Sequence, residues 1–408
     1  MKLLRLSASY PRYLANFYAK HAGLADAPYD TQSLELAKDA FGWADFWTNS
    51  LPKHGYEVLE IVANAQFAQR AWAREYVPRL ADASTLTIAT EQVKQVRPDI
   101  LWICDVEFFG TDWVREIRAA CPSIQLAIAW MGTPAYEGIA GLDAFDGILS
   151  CVPEIVTDLR KRGHRSDHLH HAFDARIYDR THANAEGSLP LTFVGQVHRE
   201  KGFHLRREEL LLKLVNQVPL QLYSPSSQVN LKDIAKAYVK QAAYASAQAL
   251  QSLGVSKDRV ALLPGLKNIA HRSSKPLVPV DLRLLRFLRP GVFGLEMFQI
   301  LRNSLVSLNV HIDASPRSAS NMRLFEATGM GSCLLTEWRE NLGELFTLDT
   351  EVVTYRSPEE CREKARWLID HPQDATRIGE AGRKRTLTAH QFQHRAPRLD
   401  QILKQWLP

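Results

Sequence analysis

The chain has 408 residues, of which 46% are hydrophobic and 23% charged, with 50 Lys and Arg against 45 Asp and Glu, a net charge of +5. That length is too great for one ordinary core and suits two α/β domains, and no uninterrupted apolar run approaches the roughly 20 residues of a membrane-spanning helix. The five cysteines (Cys104, Cys121, Cys151, Cys333, Cys361) are scattered without a CxxC spacing, which excludes a disulfide framework and a zinc site as first readings. The N-terminus meets Ser7, Ser9, Pro11 and Arg12 before any long apolar stretch, so no signal peptide is read and a cytoplasmic location is expected.

In chain order, the first half opens strand, helix, strand. Apolar positions recur at helical spacing from Thr31 to Leu51, and Gly55 leads into the strand Glu57 to Val62. Three further apolar runs follow: Asp99 to Asp105, Ile124 to Trp130 and Gly147 to Val152. A helix from Asp112 to Cys121 lies between two of them, giving the βαβ alternation of a parallel sheet. His168 to Asp174 reads as a crossing point, with a domain boundary near 172. Residues 1–172 carry 17 Lys and Arg against 21 Asp and Glu, and residues 173–408 carry 33 against 24, so the second half is the basic one. Such a field suits an anionic ligand, although most single cations on it are solvated.

The second half begins with the strand Pro190 to Gly195, the helix Arg206 to Gln217 and the strand Leu220 to Tyr223. A long helix spans Asn230 to Leu253, and Pro264 to Pro290 is left without elements. Then come a helix from Phe293 to Ser304, a strand from Leu305 to Val310, and the segment Ser320 to Thr336. This segment sets Arg323 and Glu326 on one helix face. Ser320 and Asn321 are placed to cap that helix and turn its N–H groups toward an anion. Gly329 and Gly331 then turn the chain into an apolar strand. The same spacing also suits an ordinary surface ion pair. Val352 to Tyr355 is the last strand, and two or three helices close the chain.

The order of these motifs resembles the group 1 glycosyltransferases of the spore-maturation-protein (CgeB-like) type. The resemblance rests on Phe193-Val-Gly195, Gly294 to His311, Asn321 to Glu326 with its glycine turn, and Glu359 to Arg385. It implies the GT-B architecture: two facing Rossmann-like α/β domains with parallel sheets and a cleft between them, at 1–172 (acceptor side) and 173–390 (donor side). A final helix, 391–408, is expected to pack back towards the first domain. It also implies transfer of a sugar from a nucleotide-sugar donor to a glycan, lipid-linked saccharide or protein acceptor. Nucleic acid is not an expected partner, and membrane contact is at most peripheral. The acidic pair of many retaining members, two glutamates separated by seven residues, is not read here, so the resemblance does not fix the stereochemical course.

Ligands in open α/β sheets sit beyond the carboxyl ends of the strands. On the donor side this points to Gly195, Tyr223 and His311, and the resemblance adds Asn321, Arg323 and Glu326, with Arg323 on donor phosphate or sugar and Glu326 on hydroxyls. Lys201, Arg199 and Arg207 are basic candidates nearby, and His311 equally suits a core histidine. For the catalytic base the first half offers Asp105 and Glu107 at one strand end and Glu154 after another; capping a turn is the competing role for Asp105. Glu137 is a weaker candidate. The histidines at 164, 168, 170 and 171 lack paired carboxylates and are not read as a metal site. No DxD motif is placed to hold one either, so donor activation without metal or other cofactor is expected. The alternatives are a non-hydrolysing sugar-nucleotide epimerase and a non-catalytic nucleotide or glycan binder. The aromatics of the first 80 residues suit an acceptor platform or plain core packing.

Overall fold

The computed structural model describes residues 1–134, 138–183, 188–199, 204–272 and 275–408. Twelve strands are named: β1 Lys2–Ser7, β2 Glu57–Val62, β3 Ile100–Ile103, β4 Leu126–Trp130, β5 Gly147–Ser150, β6 Ser166–His168, β7 Leu189–Val194, β8 Leu220–Tyr223, β9 Leu288–Arg289, β10 Ser304–Asn309, β11 Cys333–Glu337 and β12 Val353–Tyr355. They form two six-stranded sheets in the orders β2-β1-β3-β4-β5-β6 and β12-β11-β10-β7-β8-β9. Every pairing is parallel; Leu3 lies opposite Ile100 in one sheet and Ser307 opposite Thr192 in the other. The central strands are fully buried apolar runs, as helices on both faces require: Ile100–Ile103 has no exposed residue, nor does Gly147–Ser150.

Counted within its own half, the second sheet runs 3-2-1-4-5-6, the doubly wound order of dinucleotide-binding folds. Its strand order reverses between β7 and β10, and that of the first sheet between β1 and β3. These reversals open a crevice at the carboxyl ends, where Ser7, Cys104, Gly195 and Val310 lie. One apolar cluster joins the two halves, taking Leu3, Trp43 and Trp102 from the first and Phe325, Met330 and Phe346 from the second. The C-terminal helix Phe392–Trp406 also enters that cluster. It lies on the first sheet's half, where Tyr56 donates to Asp400 at 3.0 Å and Arg398 to Asp167 at 2.7 Å. Trp406 packs against Gly147 so closely that no Cβ fits there.

Three sequence expectations change. The helical stretch from Thr31 to Leu51 is two helices, Tyr29–Lys38 and Phe46–Ser50, because Ala40, Gly42 and Ala44 all take positive φ between them. The crossing segment at His168 closes a short edge strand, β6, whose Ser-Asp-His sequence carries no apolar signal. The stretch 264–290 holds the helix Leu282–Leu285 and the two-residue strand β9.

Candidate functional site

On the second sheet's side, the helix Arg323–Gly329 buries every residue from Leu324 onward. It starts at Met322 with no side-chain cap, which corrects the assignment of Ser320 and Asn321 as caps. The Asn321 amide donates to Asn309 Oδ1 at 2.5 Å, which ties the loop before the helix to β10, and Ser320 Oγ donates to Ser315 Oγ at 3.3 Å within that loop. Gly331 sits at φ +86°, a left-handed turn that only glycine takes without strain. Arg323 and Glu326 do pair, at 2.9 Å, but with 15% and 9% of their side chains exposed this is no surface ion pair. Arg323 Nη1 also touches Met297 Sδ at 3.1 Å, and its Nε is buried without a partner. Burial pushes the Glu326 carboxyl up, and Arg323 opposes that shift.

A second arginine stands at the point where the sheet order reverses. Arg207, on the helix Leu205–Leu214 that follows β7, donates Nη1 to Gln196 O and Nη2 to Val310 O, both at 2.8 Å. It thereby ties the end of β7 to the end of β10. Its Nε is also buried with no partner among the described residues, and burial pushes its pKa down to about 10, with Asp313 opposing. Arg323 is among the charges Arg207 feels, so the two guanidinium groups share one neighbourhood. Arg199, by contrast, is taken up by Glu208 at 2.7 Å and Asp281 at 3.0 Å.

His311 is 2% exposed at the end of β10, with Nε2 at 3.2 Å from Glu337 O. Burial, then Arg339, pushes its pKa down to about 3, so it is a neutral ring that fits the core-histidine reading. Tyr223 donates its hydroxyl to Gln221 at 3.0 Å and lies beneath Arg289. Gly195 N–H donates to Tyr223 O at 3.1 Å and continues the β7–β8 pairing. Beyond these strand ends is a cavity of about 560 Å³ lined by Gln196, Ser226 and Asn230, with Arg12 of the first half reaching Pro225 O. Lys201 and Glu137 lie outside the described residues.

Across the crevice, Asp105 follows β3, and its Oδ1 accepts from Phe108 N–H at 3.0 Å, capping the turn Val106–Phe109. Glu107 is exposed on that turn. Glu154 begins the helix after β5; Oε1 accepts from Arg317 N–H of the second half at 3.3 Å, and Oε2 is buried without a partner. Since β4 separates their strands, Asp105 and Glu154 belong to strand ends roughly 10 Å apart. The two carboxylates are therefore not one cluster.

His168, His170 and His171 behave as packed neutral rings. His171 accepts from Trp43 Nε1 at 3.3 Å, and His168 meets Cys151 O at 3.0 Å. Burial pushes His170 down to about 2 and His171 to about 3. Among the described residues no group of three His, Cys, Asp or Glu is placed to hold a metal ion.

Beside Asp105 lies the larger cavity, about 700 Å³, lined by Trp43, Cys104, Trp130, His171 and Met322 at one end. Arg5 and Glu60 form a buried ion pair in its wall, each side chain 5% exposed. Arg5 also donates to Ala44 O at 2.9 Å and contacts Cys104 Sγ at 3.6 Å and the Trp43 ring. Sequence reading passed over this pair, because Arg5 and Glu60 look like ordinary charges on two strands.

Comparison with known proteins bears on this geometry. Residues 285–402, which hold His311, Asn321, Arg323 and Glu326, match the family model Glycosyl transferase-like. No match to the chain is found among curated proteins. Among solved structures, the chain is similar to sucrose-phosphate synthase from Thermosynechococcus elongatus (12% identity, 99% of each chain covered, TM-score 0.51). It is also similar to HepE from Anabaena in complex with UDP-glucose (10% identity, 99% of this chain and 100% of that one, TM-score 0.53). A third is AviGT4, a glycosyltransferase involved in avilamycin A biosynthesis (13% identity, 100% and 98% covered, TM-score 0.50). The fold is GT-B. At these identities the likeness is one of architecture, and it spans both sheets and the crevice between them. No helix among the described residues is long and apolar enough to cross a membrane.

Proposed function

We propose that the chain is a glycosyltransferase, in which the second sheet's strand ends hold the diphosphate of a nucleotide-sugar and the first sheet's half holds the acceptor. The observation that carries this reading is the pair of arginines, Arg207 buried and Arg323 largely covered, each with a buried Nε that has no partner among the described residues. Buried donors without acceptors are costly, and an anion supplies what they lack. The family match of residues 285–402 supports the donor side. UDP-glucose, bound by HepE, is the first donor to try. The narrower resemblance to the spore-maturation type is part of the same proposal.

In the reaction the bond between the anomeric carbon and the diphosphate oxygen breaks while a bond to the acceptor oxygen forms. Arg207 and Arg323 stabilise the charge gathering on the departing diphosphate, without a metal ion in the proposed scheme. Glu326, held by Arg323, hydrogen-bonds donor hydroxyls, and Asn321 positions the loop that Arg323 follows. Asp105 takes the acceptor proton. Glu154 is assigned to holding the Arg317 loop, since one of its oxygens already accepts from that backbone. The test is UDP release from UDP-glucose with alkyl glucosides as acceptors. Asp105→Asn is expected to lower the rate by about 10²–10⁴-fold and to leave the melting temperature within a degree or two, because asparagine still caps Phe108. Retained turnover in Asp105→Asn with loss in Glu154→Gln would move the base to Glu154.

A further inference from the structure

The cavity beside Asp105 is larger and more apolar than a sugar alone requires. Its 700 Å³ or so is the size of a whole small-molecule site. It takes Val58 and Glu60 from one face of β2 and Ile61 from the other, so it passes round the outer edge of that strand, which has no strand neighbour there among the described residues. The helix Tyr29–Lys38 covers this passage with Leu36 and Ala37. At the far end are two glutamines, Gln69 and Gln92, each 1% exposed. Gln69 donates Nε2 to Val62 O at 3.3 Å, but its Oε1 has no partner among the described residues, and the Gln92 amide, with neither atom at hydrogen-bonding geometry to any of them, has the Tyr29 hydroxyl as its polar neighbour. Unpartnered amides in an apolar wall are costly unless something binds them. The near end is lined by Cys104, which precedes Asp105, and by Met322, which precedes Arg323, so it lies between the two sides of the crevice.

We propose that this cavity is the acceptor site and that the acceptor is amphipathic. Its hydroxyl-bearing end rests among Trp43, Trp130 and His171, and an apolar chain runs beneath the helix Tyr29–Lys38, carrying a hydroxyl or amide group that meets Gln92 and Gln69. The role of the site as an acceptor site rests on the transferase reading; the ligand chemistry of the cavity does not.

The experiment is calorimetric titration of the full chain with glucose, with octyl glucoside below its micelle concentration and with 8-hydroxyoctyl glucoside. Octyl glucoside is expected to bind saturably and at least tenfold more tightly than glucose. Ala37→Trp, which fills the passage, is expected to weaken it at least tenfold while leaving the melting shift given by UDP intact. Equal binding of glucose and octyl glucoside, or wild-type affinity in Ala37→Trp, would overturn the proposal. Should Ala37→Trp not fold, Gln92→Leu decides: the wild type prefers the hydroxylated chain and the variant the plain one, and an unchanged order overturns the assignment. Octyl glucoside binding without any response to a nucleotide or nucleotide-sugar keeps the cavity as an apolar-ligand site and rejects the transferase. A nucleotide response without octyl glucoside binding rejects the cavity alone.

Discussion

Each side of the crevice buries an arginine–glutamate pair, and the two pairs are satisfied to different degrees. Arg5 has Glu60, a backbone carbonyl, a thiol and an indole face around it, and Glu60 in turn accepts from the Thr48 backbone at 2.8 Å. Arg323 has Glu326 and a thioether, and its Nε has nothing. A buried pair whose hydrogen bonds are complete is a structural clamp, whereas one left incomplete is poised for a ligand. The first pair therefore shapes the wall of the apolar cavity, and the second is the one proposed to meet the donor's phosphates.

Breaking the complete pair should have the largest effect on stability. Glu60→Gln leaves Arg5 buried without its counter-charge and is expected to cost about 3–5 kcal/mol in urea unfolding, with nucleotide affinity unchanged in whatever fraction remains folded. A loss under 1 kcal/mol would mean that Arg5 is held by its other partners alone.

Breaking the incomplete pair should instead show in binding. The double variant Arg323→Met with Glu326→Gln removes both charges together, so neither is left uncompensated. It is expected to fold and to weaken nucleotide binding by about 1.5–3 kcal/mol, the worth of a charged hydrogen bond. Unaltered binding would return Arg323 to a purely structural role.

A smaller effect sharpens the comparison through pH. His171 beside the first cavity and His311 at the second sheet's strand end both have folded pKa values of about 3, set first by burial. The unfolded side chains protonate near pH 6.5 and the folded ones do not, so the unfolded state binds more protons as the pH falls below that value. Stability is thus expected to fall from about pH 6.5 downward, approaching about 1.4 kcal/mol per pH unit for each histidine. The raised carboxyls of Glu60 and Glu326 act in the opposite sense, so each histidine's share is read as the difference between the wild type and its variant from pH 7 to 5.5. Replacing either His171 or His311 by Gln should flatten the melting-temperature profile over that range by one proton; an unchanged profile would mean that the ring is protonated in the folded chain.

The sequence showed the alternation of strands and helices well, because central parallel strands are continuous apolar runs that composition marks plainly. It also placed Arg323 and Glu326 on one helix face. How far they are covered was not legible, since Met297 meets Arg323 from the helix Gly294–Arg302 and Phe173 packs on Gly329 at the other end of the same helix as Arg323. Arg207 was visible only as one cation among several, because its partners Gln196 and Val310 lie 11 and 103 residues away and are backbone carbonyls without a sequence signal. The break between Lys38 and Phe46 was hidden because Ala40 and Ala44 are not residues that announce positive φ. The large cavity takes lining residues from both sides of that break, Leu36 and Ala37 before it and Asp45 and Thr48 after it.

In the proposed function the second sheet's strand ends bind a nucleotide-sugar through Arg207 and Arg323. Its most direct test is calorimetric titration of UDP-glucose, with GDP-, dTDP-, ADP- and CMP-sugars alongside, into the wild type and the Arg323→Met, Glu326→Gln double variant. Saturable one-site binding of one nucleotide class, weakened at least tenfold in the folded variant, is the expected result. Binding to none of these donors, or equal binding to both proteins, would contradict the account.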